Sequence, residues 1–171
     1  NCSFSNFSNG TINRKMYLKI LDACLANAEN PTLVHVSAFK DLPTEKENEE
    51  YKFENLITKE KLKELQSRGN SAIEDFSIGS KKVLFTTKCS RGVDFAGKKC
   101  NSIIITKYPY PNIQGLFWKI LKKEQPEKFM EFYMDKARRD LIQKIARGVR
   151  FPGDKVSVWS PDSRVINQRL D

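Results

Sequence analysis

Apolar residues in this chain follow two rhythms. Between Arg14 and Asn27, Met16, Ile20, Leu21, Cys24 and Leu25 recur at three- and four-residue intervals, which predicts an amphipathic helix that Asn30-Pro31 brings to an end. Short runs rich in β-branched residues alternate with such helical patterns. "TLVHVSAF" (32–39), "VLFTTK" (83–88), "SIIITKYP" (102–109) and "KVSVWSP" (155–161) read as strands, the third closed by "YPYPN". Helical patterns occupy 58–67, 71–77, 113–123 and 127–148, with Gly69-Asn70 separating the first two. The segment "DLPTEKENEEYKFEN" (41–55) is acidic and poor in apolar positions, so it is expected to be an exposed loop, as are residues 1–12 and "GVDFAGKKC".

The strands are apolar on both faces and alternate with helices. That pattern predicts an α/β domain with a mostly parallel sheet and helices on both faces. No internal repeat or second-domain linker interrupts it, so residues 1–171 are expected to form one domain. Ligands of such sheets sit at the carboxyl ends of the strands. The residues expected there are Ser37 after the first strand, Thr86, Thr87 and Lys88 at the end of the second, and Lys107 and Tyr108 at the end of the third. Together they would put hydroxyls and positive charge along one rim.

Composition adds a polyanion to the picture. The net charge of +9 is concentrated in one half: residues 1–80 hold 10 Lys/Arg and 12 Asp/Glu (−2), and residues 81–171 hold 20 and 9 (+11). A basic half of this kind suits nucleic acid or phosphates. Four cysteines without a C-x-x-C pair, and a single histidine, argue against a metal centre within the chain. His35 lies inside an apolar run and reads as a core histidine rather than a general base. No run of about 18 apolar residues is present, so no membrane span is expected. The opening "NCSFSNFSNG" lacks a basic and apolar leader and is expected to be the cut edge of a longer protein. Three N-x-[ST] tripeptides fall within residues 1–11, the one feature that would suit a secreted glycoprotein. With no secretory feature beside them, the expected compartment is the cytoplasm of a prokaryote or the nucleus of a eukaryote.

The most informative stretch is "QKIARGVR" (143–150). If one helix runs through it at about 100° per residue, Lys136, Arg139, Gln143, Arg147 and Arg150 fall on one stripe about 80° wide. Met134, Leu141 and Ile145 then face the core on the opposite side. Gly148 would cost such a helix about 1 kcal/mol relative to alanine. A close approach by backbone or ligand would account for it. Arginine forks suit phosphate oxygens, so a nucleotide phosphate is the expected ligand. The chain has no G-x-x-x-x-G-K-[ST] loop, and no Asp-Glu pair follows a strand, which excludes a self-sufficient P-loop NTPase.

These residues carry a family resemblance. "QKIARGVR" resembles motif VI of superfamily 2 helicases, usually Q-x-x-G-R-x-x-R, with Ala146 in place of the usual glycine. "TTKCSRGVDFAG" (86–97) resembles motif V, with Arg91 where XPD relatives more often have an acid. "TLVHVSAF" resembles motif IV, and "IIITKYPYP" and "DKVSVWSPDSR" resemble the XPD/DinG group in particular. The resemblance implies the second RecA-like motor domain of an XPD-like DNA helicase, itself a three-layer sandwich, with ATP bound between it and an upstream RecA-like domain. That upstream domain would hold the P-loop, ATP, Mg²⁺ and, in many relatives, an iron–sulfur cluster. Carried over by motif, Arg147 and Arg150 would be arginine fingers, and Gln143 would orient the nucleotide or its attacking water. Gly92 and Asp94 would lie near the nucleotide. Ser37, Thr86 and Thr87 would touch the backbone of single-stranded DNA, with Lys88, Lys107 and Tyr108 on the same track. The fragment alone is expected to be inactive. The alternative is a non-catalytic RecA-like module that binds nucleic acid or a protein.

Overall fold

Four short strands form one parallel sheet in the order β2-β1-β3-β4: β1 Thr32–His35, β2 Val83–Thr86, β3 Ser102–Ile105 and β4 Ser157–Trp159. The computed structural model describes residues 2, 6–7, 9–88, 95 and 97–167. In register, His35 at the end of β1 lies between Thr86 of β2 and Ile105 of β3. Each strand starts where the sequence pattern places it, within two residues, and each pairs over a shorter length than its apolar run.

Alternation along the strands separates two cores. Val34, Phe85 and Ile104 face α1 (Arg14–Asn27), whose Leu18 and Leu21 are buried, together with Leu62 of α3 (Lys59–Ser67). Leu33, Leu84, Ile103 and Ile105 face the other way. There they meet Phe76 of α4 (Ser71–Ser77) and Ala137 and Leu141 of α6 (Pro126–Ile145). The result is helix, sheet, helix: the mixed α/β, all-parallel arrangement of a RecA-like fold.

Three elements depart from the sequence pattern. Residues 41–55, expected as an exposed loop, contain the helix α2 (Glu45–Tyr51) and the buried side chains of Leu42 and Phe53. A capping box builds that helix. Glu47 N–H donates to Thr44 Oγ1 at 3.1 Å, and Thr44 N–H donates to Glu47 Oε2 at 2.8 Å. Arg14 of α1 then clamps Glu47 from outside, with Nε 2.5 Å from Oε1. Periodicity misses such a helix because it is held by its cap and an ion pair rather than by an apolar face.

The second departure concerns the long helix, which ends at Ile145 rather than 148, so Arg147, Gly148 and Arg150 lie in the turn beyond it. The single cationic stripe therefore does not exist. Arg139 pairs with Asp135 at 2.9 Å and Lys136 with Asp140 at 2.5 Å, both at i, i+4 spacing on the solvated face. Met134 does not face the core either; it is 40% exposed, on a part of α6 paired instead with α5 (Leu116–Glu124). A third addition is the one-turn helix α7 (Ser163–Ile166), whose N-cap is Asp162.

Candidate functional site

The turn after α6 gathers three of the residues singled out above. Gln143, Ala146, Arg147 and Arg150 line an open concavity of about 440 Å³. Gln143 and Arg150 are exposed and Arg147 is half-buried. Three contacts fix this turn to the sheet. The Phe95 N–H donates to the Arg147 carbonyl at 3.0 Å, tying the turn to the segment that follows β2. Gly148 is buried, and a methyl in place of its hydrogen would lie 3.2 Å from Ile103 Cδ1 and 3.3 Å from Val156 Cγ2. The close approach expected at this glycine is thus made by the domain's own side chains. Finally, the buried His35 ring places Nε2 3.2 Å from the Lys144 carbonyl.

A carbonyl only accepts, so the imidazole carries its proton on Nε2. Burial, reinforced by the charges of Lys144 and Arg147, pushes the His35 pKa down to about 3. The ring is neutral at ordinary pH, as a core histidine should be. Beyond the turn, Asp154 accepts the N–H groups of Arg150 at 2.8 Å and Phe151 at 2.9 Å, and those bonds hold its carboxyl below the ordinary range.

The carboxyl ends of the strands form a second surface. Ser37 is exposed, its N–H donating to Thr106 Oγ1 at 2.9 Å and its hydroxyl to the Lys107 carbonyl at 3.2 Å. Lys107 is half-buried and reaches Asp41, with Nζ 2.5 Å from Oδ1. Thr86 is buried and turns its hydroxyl to its own chain, donating to the Lys88 carbonyl at 2.6 Å and accepting the Lys88 N–H at 3.0 Å. Thr87 donates to Gln66 Oε1 at 2.9 Å, and Lys88 is exposed. Tyr108 is 4% exposed in the second core, its ring centroid 4.8 Å from that of Tyr110. Gly92 and Asp94 lie outside the described residues.

Two buried carboxylates, absent from the sequence reading, organise this rim. Asp41 is wholly buried and accepts from Ala38 N–H at 2.9 Å, from Thr106 Oγ1 at 3.2 Å and from Lys107. Asp162, also wholly buried, accepts from the Tyr108 N–H at 3.1 Å and from both Nε and Nη2 of Arg164, at 2.9 and 2.6 Å. Burial opposes its charge, yet the Arg164 and Tyr108 hydrogen bonds bring its carboxyl below the ordinary value. Beside Lys107 opens a cavity of about 580 Å³ lined by Arg14, Lys40, Lys59, Lys107 and Arg164 together with Cys2, Phe7 and Tyr17, with Glu47 as the acid among the lining residues. Arg14, Lys40 and Lys59 are far apart in sequence, and no motif spacing links them. The "SPDSR" segment was the one available signal for Asp162 and Arg164.

Among the described residues no three His, Cys, Asp or Glu side chains come together as a metal would require. No helix among them is long and apolar enough to cross a membrane. Among curated proteins no relative matches the chain. The helicase C-terminal domain family matches residues 23–171, which include both edges of the sheet just described. On that match, which covers most of its length, this chain belongs to the DinG/XPD-like family of C-terminal helicase domains.

Proposed function

We propose that this domain is the second motor lobe of an ATP-dependent DNA helicase, serving a nucleotide held mainly by a separate P-loop lobe. One observation carries the reading. Gln143, Arg147 and Arg150 meet around one open concavity, and the carbonyl of Arg147 is bonded to the segment that leaves β2. Two guanidinium groups at an open edge suit the charge that builds on a transferring γ-phosphoryl group. An arginine supplied this way is worth roughly 10³- to 10⁵-fold in turnover. Gln143, one turn before Arg147, is placed to orient the nucleotide or a water. Magnesium would be held by the P-loop lobe.

Single-stranded DNA would run over the carboxyl ends of the strands. Ser37, Thr87, Lys88 and Lys107 face that rim, and the cationic cavity beside Lys107 adds Lys40 and Lys59. Hydroxyls and ammonium groups on phosphates grip without reading sequence, which suits translocation. The Asp41 pair that fixes Lys107 and the Thr106 hydroxyl that holds Ser37 would keep this grip in shape. Thr86 and Tyr108 would act from beneath, by shaping the turns that end β2 and β3.

In the helicase that carries this domain, Arg147→Ala or Arg150→Ala is expected to abolish ATP hydrolysis and leave nucleotide binding largely intact. Full turnover in both variants would overturn the assignment. The isolated domain is expected to hydrolyse no ATP, and turnover by the purified domain would contradict a nucleotide held by another lobe.

A further inference from the structure

We infer that His35 is a positioning residue for the arginine turn: from the central strand, its Nε2–H holds the Lys144 carbonyl and so sets where Gln143 and Arg147 stand. The inference rests on the proposed role of those residues. His35 is 1% exposed, and its backbone is locked on both sides. Its carbonyl accepts the Thr106 N–H at 3.1 Å, and the next residue, Val36, donates to the Thr86 carbonyl at 2.8 Å. The ring therefore projects from one of the most rigid points of the sheet. It reaches a carbonyl in the last turn of α6 that also accepts the Arg147 N–H, at 3.4 Å, so the ring holds the point where the helix passes into the arginine turn.

Packing alone does not explain an imidazole here. The position lies on the face of β1 that also presents Leu33 to the second core, where an apolar side chain would be the simpler filling. His35 Nδ1 is buried without a hydrogen-bond partner among the described residues. Leaving such an atom bare costs the desolvation of a polar nitrogen with nothing in return. The bond that the ring does make, to Lys144, is what the imidazole adds over a hydrocarbon. The other two ties of the turn, Phe95 to the Arg147 carbonyl and the packing of Gly148, act after the helix has ended. His35 acts on the helix itself, between Gln143 and Arg147. Two residues beyond it, just past the end of β1, lies Ser37 at the carboxyl rim, so the strand that would lead to DNA also carries the ring that places the arginine.

The test compares His35→Gln with His35→Asn in the helicase that carries this domain. The glutamine amide nitrogen falls near the place of Nε2; that of asparagine falls short of Lys144. Steady-state ATP hydrolysis is expected to show kcat for His35→Asn reduced roughly ten- to hundred-fold, the range for a group displaced by about 1 Å from its productive place. KM should stay within about twofold, because a finger acts in the transition state. His35→Gln should recover kcat to within about threefold of the parent. Equal kcat in the two variants, or a change confined to KM, would overturn the inference. Nitrogen NMR of the native protein gives a check that needs no variant: a proton on Nε2 is expected, and one on Nδ1 would remove the bond. Arg147→Ala run in parallel separates the two levels. Full turnover there removes the finger reading itself. An inactive Arg147→Ala beside equal Gln and Asn variants removes only the role of His35.

Discussion

Replacing Gly148 with alanine distinguishes two reasons for a glycine between arginines. The new methyl would lie 3.2 Å from Ile103 Cδ1, 3.3 Å from Val156 Cγ2 and 3.5 Å from Cys100 Sγ. Carbon atoms prefer separations of about 3.5–4.0 Å, so two of these contacts must open by a few tenths of an ångström. Ile103 and Cys100 are wholly buried and have little room to move. Overpacking of this kind costs about 1–3 kcal/mol. Alanine returns about 0.4–1 kcal/mol by restricting the unfolded chain, leaving a net loss of about 0.5–2 kcal/mol. In a domain of this size that is a fall in Tm of roughly 1–8 °C, readable by circular dichroism of the isolated domain. If the turn relieves the clash by lifting off the sheet, Arg147 moves with it. ATP turnover of the helicase should then fall by about tenfold or more. A raised Tm with unchanged turnover would refute the packing described for this turn. A raised Tm with weakened nucleotide binding would restore the opposite idea, that the glycine makes room for a ligand.

Acid should destabilise the domain in two stages. His35 is neutral in the fold down to about pH 3, whereas in the unfolded chain it takes up a proton near 6.5, so the unfolded state binds the extra proton and stability falls as pH drops through that window, by at most about 1.4 kcal/mol per pH unit. Glu47 is held down to about 2 by its hydrogen bond to Arg14, so its contribution is complete above about pH 4.5 and is lost as pH falls towards 2. Urea unfolding between pH 7 and 4 checks the first stage, where a His35→Gln domain should lose the slope between pH 6.5 and 4.5; an unchanged slope would contradict the buried neutral ring. Asp162→Ala leaves the buried Tyr108 N–H and the Arg164 guanidinium without their acceptor and should cost about 2–3 kcal/mol by denaturant titration. A loss below 0.5 kcal/mol, in the ~0–1 range of a surface pair, would show that this carboxylate does not organise the rim.

The grouping of the arginine turn was legible because its signals are local. Gln143, Arg147 and Arg150 are close in sequence, and any chain path that keeps them at one helix end keeps them together. Their spacing survived even though the helix stops at Ile145 and the stripe through Lys136 and Arg139 does not form. Those two cations serve Asp140 and Asp135, four residues away, a pairing that the sequence itself offered. Gly148 was conspicuous, but its reason was not legible, because Ile103 and Val156 come to it only when the sheet is assembled.

The chain alone made legible the four strands, the longer helices between them, and the motifs that mark the helicase family. These depend on apolar periodicity and on near neighbours, which act before any tertiary contact forms. The packed fold sets what surrounds each polar group. It buried Asp41 and Asp162 beneath the rim, and it brought Arg14, Lys40, Lys59 and Lys107 to one cavity from distant stretches. It also set the His35 ring against a carbonyl 109 residues away. A buried polar group is defined by its partners. Those partners are chosen by the packing of the sheet and its helices, and no window along the chain contains them.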